Sequence, residues 1–118
     1  MELKRVRMCA PVTADGTINP RFCQATRVAV VDVHGGRLVG WQEFVVGWDQ
    51  LHGDGPHDEH HERMAAFLRH HGVNILVVEH IGTCLRATLL KMDIAVQANA
   101  SGPAGEAIVS AAHDQLTR

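Results

Sequence analysis

The segment that most restricts the fold is residues 73–78, Val-Asn-Ile-Leu-Val-Val, an almost continuous apolar run. Runs of this kind are typical of a strand that is covered on both faces of a parallel sheet. Gly72 comes just before it, where glycine commonly follows the end of a helix. Helical patterns on both sides of the run predict β-α-β connections, which require parallel strands joined by right-handed crossovers.

The other segments extend this pattern to five strands and three helices. Gly35 and Gly36 supply the positive φ of a tight turn, which predicts a hairpin between two antiparallel strands. Apolar side chains from Met64 to His71 recur at helical spacing. The predicted strands are residues 6–12, 25–33, 37–46, 73–78 and 94–97, and the predicted helices are residues 58–71, 84–92 and 104–116.

The order β-β-β-α-β-α-β-α predicts an α/β fold with a five-stranded mixed sheet. In the simplest arrangement strand 2 is antiparallel to the others, and helices cover both faces of the sheet. A chain of 118 residues has the usual size of one domain, so we expect residues 1–118 to form a single unit.

Composition excludes several classes of protein. The net charge of −2 leaves no basic excess for nucleic acid, and no apolar run reaches the length of a membrane span. The charged N-terminus lacks the apolar region of a signal peptide. Three cysteines, Cys9, Cys23 and Cys84, do not make a disulfide framework, so we expect a reducing, cytoplasmic location.

Histidines are concentrated in one part of the chain. Imidazole is the commonest metal ligand in proteins, and it suits Zn²⁺, Ni²⁺ and Cu²⁺. The alternative interpretation of these histidines is that they belong to a solvated, mobile loop. Six of the nine histidines lie in residues 51–71: His52, His57, His60, His61, His70 and His71.

The predicted topology brings other potential ligands to these histidines. The carboxyl ends of parallel strands share one edge of a sheet, where open α/β sheets usually bind ligands. The loops at that edge are residues 13–24, 47–57, 79–84 and 98–103. They carry Cys23, His52, His57, His80 and Cys84, and His60 and His61 follow closely.

The same edge is expected to attract anions. Helix N-termini point their N–H groups toward it, and Gly82 would let a ligand approach the backbone closely. Thr83 could cap the following helix, and Cys84 lies in its first turn. Arg21 and Arg27 add positive charge. These features favour an anionic, sulfur-rich metal cluster over a bare cation.

Other polar and aromatic residues have simpler interpretations. Cys9 lies within a strand and is expected to be a buried apolar side chain. His70 and His71 complement the negative end of a helix. Trp41 and Trp48 are expected in the core or at a dimer face. The chain has no His-Glu-x-x-His, Cys-x-x-Cys or phosphate-binding loop, and too few acidic residues at strand ends for a two-metal nuclease.

A series of short motifs resembles the dinitrogenase iron–molybdenum cofactor biosynthesis family, the NifX-like group. The resemblance implies a ribonuclease H-like fold and a non-enzymatic carrier of iron–sulfur or molybdenum–iron–sulfur clusters, with donor and recipient proteins as partners. Before strand 2 the family usually reads His-Phe-Gly-Arg, whereas this chain reads Arg-Phe-Cys-Gln. The motifs lie in residues 8–12, 18–25, 30–33, 71–78, 81–82, 92–96 and 105–108.

Three functional hypotheses follow. The first is a cluster carrier with Cys23, His80 and Cys84 as ligands, assisted by a flap containing His52, His57, His60 and His61. The second is a transition-metal binding or sensing protein that uses imidazoles alone. The third is an interaction domain of the same fold without a ligand. Pairing through a sheet edge or the tryptophan surface could make a homodimer.

Overall fold

The computed structural model describes residues 5–48 and 57–116. Within those ranges, the side chains of a few residues lie outside the description: Arg5, Cys23, residues 57–61, Thr83, Cys84, Gln115 and Leu116.

The described chain forms five strands and three helices in the predicted order. The strands are β1 (Arg5–Val12), β2 (Arg27–His34), β3 (Arg37–Val45), β4 (Ile75–Val77) and β5 (Ala95–Gln97). The helices are α1 (His57–His70), α2 (Thr83–Lys91) and α3 (Ala104–Leu116), and a single 3₁₀ turn spans Phe22–Gln24.

The strands form one mixed sheet with the order β3-β2-β1-β4-β5. Strand β4 pairs in parallel with both β1 and β5, and β2 is antiparallel to both β1 and β3. The prediction that only strand 2 runs against the others is therefore confirmed. Since β1, β3, β4 and β5 run the same way, their carboxyl ends share one edge.

Helices cover both faces of the sheet, as predicted. Alternate residues of β1 divide between two cores: Cys9 packs with α1 and α2, whereas Met8 packs with α3. Met64 and Leu68 of the predicted stripe are fully buried in the first core, and Ile108 of α3 in the second. Of the helices in the described ranges, none has the length and apolar character needed to cross a bilayer.

Some element boundaries differ from the prediction. Strand β4 is shorter than residues 73–78, because the N–H of Val73 is bonded to the carbonyl of Leu68 at the end of α1. Gly72 has φ of +65° there, as expected for a residue that ends a helix. The segment predicted as a plain loop, residues 13–24, contains the 3₁₀ turn.

An arginine joins three elements at the amino end of β1. The Arg7 Nε donates to Asp32 Oδ1 on β2 at 2.9 Å, and its Nη1 donates to the His71 carbonyl at 2.8 Å. The hydrogen bond and charge of Asp32 raise the pKa of Arg7. The His71 ring lies against Phe44 and Phe67, and burial is the main cause of its lowered pKa. Arg7 thus ties β1, β2 and the end of α1 together at this edge of the sheet.

Two neighbouring leucines of α2 provide a matched test of the packing. Leu89 is fully buried, whereas Leu90 is 59% exposed. We expect Leu89→Ala to lower the free energy of unfolding by about 2–5 kcal/mol, because it leaves a cavity in the core. Leu90→Ala should change it by about 0.5 kcal/mol or less. Urea unfolding measures both values, and equal losses would contradict this placement of α2.

Candidate functional site

The loops at the carboxyl edge of the sheet are hydrogen-bonded to one another. The Ile18 N–H donates to the Gly102 carbonyl at 2.9 Å, and the Ala104 N–H donates to the Gly16 carbonyl at 2.8 Å. These bonds join the β1–β2 loop to the β5–α3 loop. Backbone hydrogen bonds therefore bring these two loops together, as the topology predicts.

The β4–α2 loop joins the same edge. The Asn99 N–H donates to the Glu79 carbonyl at 2.9 Å, and the Ala100 N–H donates to the Val78 carbonyl. Asn99 has φ of +66°, a left-handed conformation that asparagine tolerates better than most residues. We call these three loops, residues 13–26, 78–82 and 98–103, the rim.

Buried side chains beneath the rim anchor the segments that carry the predicted ligand positions. Phe22, Ile81 and Leu85 belong to one core cluster, and each is less than 9% exposed. Their neighbours in the chain are Cys23, Gly82 and Cys84. The backbone of the 3₁₀ turn and that of the first turn of α2 therefore both border this core cluster.

The segment after β3 begins beside the same core cluster. The Trp48 N–H donates to the Ala25 carbonyl at 3.0 Å, and its indole packs edge-on against Phe22, with ring centroids 5.2 Å apart. Trp48 also packs against Phe67 of α1. It is 2% exposed, so the prediction of a core tryptophan is confirmed for this residue. The chain thus enters the histidine-rich segment from the rim.

The N-terminus of α2 has no side-chain cap. Gly82 occupies the N-cap position without a side-chain hydrogen bond, and the first turn contains no acidic residue. The prediction that Thr83 caps this helix is wrong, because Thr83 is already its first helical residue. A Cβ added at Gly82 would meet no atom of the described residues within 4 Å, so those residues leave room at this position. Such an end favours an anion.

Arg21 and His80 are exposed at the rim, as the sequence predicts. The Arg21 N–H donates to Asn19 Oδ1 at 3.0 Å, and its guanidinium lies 3.5 Å from Gln24 Oε1. Arg27 lies 3.4 Å from Glu43, so much of its positive charge is balanced within the chain. Arg21 is therefore the stronger source of positive charge.

The other predicted ligands fall partly or wholly outside the described residues. The backbones of Cys23 and Cys84 are at the rim, but their side chains are outside the description, as is that of Thr83. His52 lies outside the described residues. Among described side chains, no three of His, Cys, Asp and Glu are grouped as metal ligands. His57, His60 and His61 belong to the first turns of α1, with side chains outside the description.

The direction of α1 places its first turns on the rim side of the domain. Its last turn lies beside Arg7, at the opposite edge of the sheet. Fourteen residues of helix span about 21 Å, a distance comparable to the length of the sheet's longer strands. His57 and His61, four residues apart, share one side of the helix.

A polar cleft of about 460 Å³ adjoins the rim on the α3 side of the sheet. Its two carboxylates, Glu106 and Asp114, are eight residues apart on α3, or about 12 Å, too far to bind one ion together. Their negative charge disfavours an anion here, whereas the first turn of α2 contains no acidic residue. The polar lining comprises Gln97, Asn99, Ser101, Glu106, Ser110 and Asp114.

Asn99 is the rim residue that sequence reasoning missed. An asparagine directly after a strand, with Gly102 close by, is a signal for a left-handed turn residue. That signal could have assigned it to the rim backbone.

Comparison with known proteins identifies the fold and the family. The family model described as dinitrogenase iron–molybdenum cofactor matches residues 4–114. The crystal structure of PH0822 has a TM-score of 0.71 at 17% identity, covering 90% of each chain. The apo orange protein from Desulfovibrio gigas has a TM-score of 0.73 at 20% identity, covering 92% of this chain and 88% of that one. No curated protein matches the sequence.

Cys9 is distinct from the rim cysteines and gives a direct test. It is fully buried in β1, and burial raises the pKa of its thiol strongly. We expect a Cys23→Ser, Cys84→Ser variant, in which Cys9 is the remaining thiol, to be inert to Ellman's reagent when native. One thiol should react after denaturation in urea. Native reactivity like that of a free thiol would contradict this burial.

Proposed function

This chain belongs to the dinitrogenase iron–molybdenum cofactor family, and on that basis we propose that it is a non-enzymatic carrier or chaperone for metal–sulfur clusters. The cargo would be an iron–sulfur or molybdenum–iron–sulfur cluster, received from a donor protein and passed to a recipient. We further propose that the chain is a single cytoplasmic domain with a ribonuclease H-like fold. The sheet order β3-β2-β1-β4-β5, with β2 antiparallel, supports that fold.

The observation that carries the proposal is the shared core patch beneath the rim. Phe22, Ile81 and Leu85 belong to one core cluster, so two backbone segments that each contain a cysteine border the same core. His80 lies in the loop between them and β4. Thiolate and imidazole are the ligands that soft metal–sulfur clusters accept. We propose Cys23, His80 and Cys84 as the ligands.

The electrostatics of the rim fit an anionic cargo. The first turn of α2 offers N–H groups without acceptors inside the helix, and Gly82 leaves the approach open. A helix N-terminus also favours the thiolate form of a cysteine. Arg21 adds a positive charge that is exposed at the same place. Together these groups would neutralise part of the charge of a cluster.

An exposed site suits a carrier. Gly82, His80 and Arg21 all face solvent, so a cluster bound there would remain accessible to a second protein. The sequence-based prediction of a flap extending to His61 is corrected by the helix, which begins at His57 and contains His57, His60 and His61. We propose that the segment with His52 closes over the cargo and that the histidines in the first turns of α1 supply further imidazoles.

A second candidate is a transition-metal site made of histidines alone. The observation in its favour is that α1 begins at His57, which puts His57 and His61 on the same side of the helix. Such pairs are common ligands of Zn²⁺, Ni²⁺ and Cu²⁺. This site would not depend on either cysteine of the rim.

Cysteine substitutions separate the two candidates. We expect Cys23→Ala, Cys84→Ala to reduce loading of a synthetic iron–sulfur or thiomolybdate cluster by at least about tenfold, because both thiolate ligands are lost. Thermal unfolding should show that the domain remains folded. Loading is measured from bound metal, acid-labile sulfide and the visible spectrum under anaerobic conditions.

A histidine pair provides the matched control. His80 and His113 are both exposed, but His113 lies far along α3 from the rim. His80→Ala should weaken cluster loading, whereas His113→Ala should not. Loading that survives the double cysteine substitution would overturn the ligand assignment. Metal binding that instead requires His57 and His61 would favour the second candidate.

A further inference from the structure

The loop of residues 98–103 joins the other two loops of the rim. On one side the Ile18 N–H donates to the Gly102 carbonyl at 2.9 Å. On the other side the loop donates two hydrogen bonds, each of 2.9 Å, to the chain that follows β4. The placement of the segment that carries His80, relative to the β1–β2 loop, therefore depends on the backbone of residues 98–103.

Two consecutive N–H groups of this loop bond to the same neighbouring segment. The Asn99 N–H donates to the Glu79 carbonyl. The Ala100 N–H donates to the Val78 carbonyl. Consecutive N–H groups of an extended strand point in opposite directions, so a regular strand could make only one of these two bonds. The chain must therefore turn at residue 99, which lies between the two donors.

Asn99 makes this turn with a left-handed backbone, at φ of +66°. A β-branched residue is strongly disfavoured at such a φ, because its side chain crowds the neighbouring backbone. Asparagine tolerates the conformation, and glycine adopts it freely. The side chain of Asn99 is exposed, so core packing does not explain the residue at this position. The backbone conformation is therefore what restricts it.

We propose that Asn99 is a positioning residue of the rim, whose left-handed backbone holds the peptide between Glu79 and His80 in place for cluster binding. The inference rests on the proposed function, because it treats His80 as a ligand. Glu79 and His80 are exposed, whereas Val78 and Ile81 on either side of them are buried. Loss of the bond to the Glu79 carbonyl would therefore release the exposed part of the loop and leave its buried ends in the core.

Amide hydrogen exchange, measured without any added metal, tests the positioning itself. The Asn99 and Ala100 amides of the wild-type chain should be protected, because both are hydrogen-bonded. In Asn99→Val we expect the amides of residues 99 and 100 to exchange about tenfold faster or more, because valine disfavours the left-handed backbone. Asn99→Ala should change the rates in the same direction and provides the test if Asn99→Val does not fold. Wild-type rates in Asn99→Ala or in folded Asn99→Val would overturn the proposal.

Asp93→Val is the matched control. Asp93 also has a left-handed backbone, at φ of +60°, but it lies between α2 and β5 at the opposite edge of the sheet. We expect Asp93→Val to lower the free energy of unfolding, as Asn99→Val does, while the amides of residues 99 and 100 keep their wild-type exchange rates. Equal acceleration in both variants would indicate a general loss of stability and would overturn the positioning role.

Asn99→Gly separates the backbone conformation from the side chain. Glycine adopts the left-handed φ and lacks the amide group of asparagine. We expect protection of the Ala100 amide in Asn99→Gly to be close to that of the wild-type chain. If Asn99→Gly behaves like Asn99→Val, the side chain itself is required, and the proposal is overturned.

Cluster loading tests the consequence for the site. The apparent affinity for a synthetic iron–sulfur cluster should weaken about tenfold or more in Asn99→Val, as is typical when a group that orients a metal ligand is lost. Affinity should be unchanged in Asn99→Gly and in Asp93→Val. In a His80→Ala background, Asn99→Val should have no further effect, because it acts through His80. Equal losses in the two backgrounds would overturn the assignment.

The exchange and loading measurements distinguish a failure of this inference from a failure of the proposed function. A wild-type chain that binds no cluster would overturn the carrier function and the role of Asn99 in binding. Faster exchange in Asn99→Val alone would still show that Asn99 positions the loop. Faster exchange with unchanged loading would overturn the role of Asn99 in binding and leave the carrier function intact.

Discussion

The parallel pairing of β4 with β1 and β5 is the constraint on which the rest of the structure depends. A parallel strand must return across the sheet before it can pair, so α1 and α2 are required connections. Each crossover then begins and ends at fixed edges of the sheet. The loops that follow β1, β4 and β5 are brought to one edge, where backbone hydrogen bonds join them. The site is a consequence of strand direction.

The two edges of the sheet have opposite characters. At one edge Arg7 bonds to Asp32 and to the His71 carbonyl, so charge is neutralised and the end of α1 is held in place. At the other edge no side chain of the described residues caps the first turn of α2, and those residues leave room beside Gly82. The residues that tie the elements together and the groups proposed to bind a cluster thus lie at opposite ends of the strands.

The sequence predicts the order of strands and helices along the chain well, because its strongest patterns report burial. Residues 73–78 read as a strand covered on both faces, and Ile75–Val77 is fully flanked by β1 and β5. The features that the sequence could not show depend on how the strands pair. The bulge at Val39 arises from the register between β2 and β3, and no local pattern marks it. The position of the N-cap at Gly82 depends on where the chain leaves β4 and α2 begins. Residue type alone predicted Thr83 as the cap.

For the site, the predicted topology identifies which loops meet at one edge of the sheet. Hydrogen bonds and packing in the folded chain hold those loops there. The segments containing Cys23 and Cys84 are more than 60 residues apart in the chain, and Phe22 and Leu85 from these segments both contact the same core cluster. That contact follows from tertiary structure and has no sequence signature. The role of Asn99 was likewise missed, since a left-handed backbone conformation is a property of the folded loop.

The central claim is that the rim binds a metal–sulfur cluster. The most direct measurement is the metal and acid-labile sulfide content of anaerobically purified protein, with its visible spectrum, before and after addition of a synthetic iron–sulfur or thiomolybdate cluster. The account predicts a coloured species that contains both metal and sulfide and stays with the protein through gel filtration. A colourless protein that holds neither, or that holds a metal ion without sulfide, would contradict it.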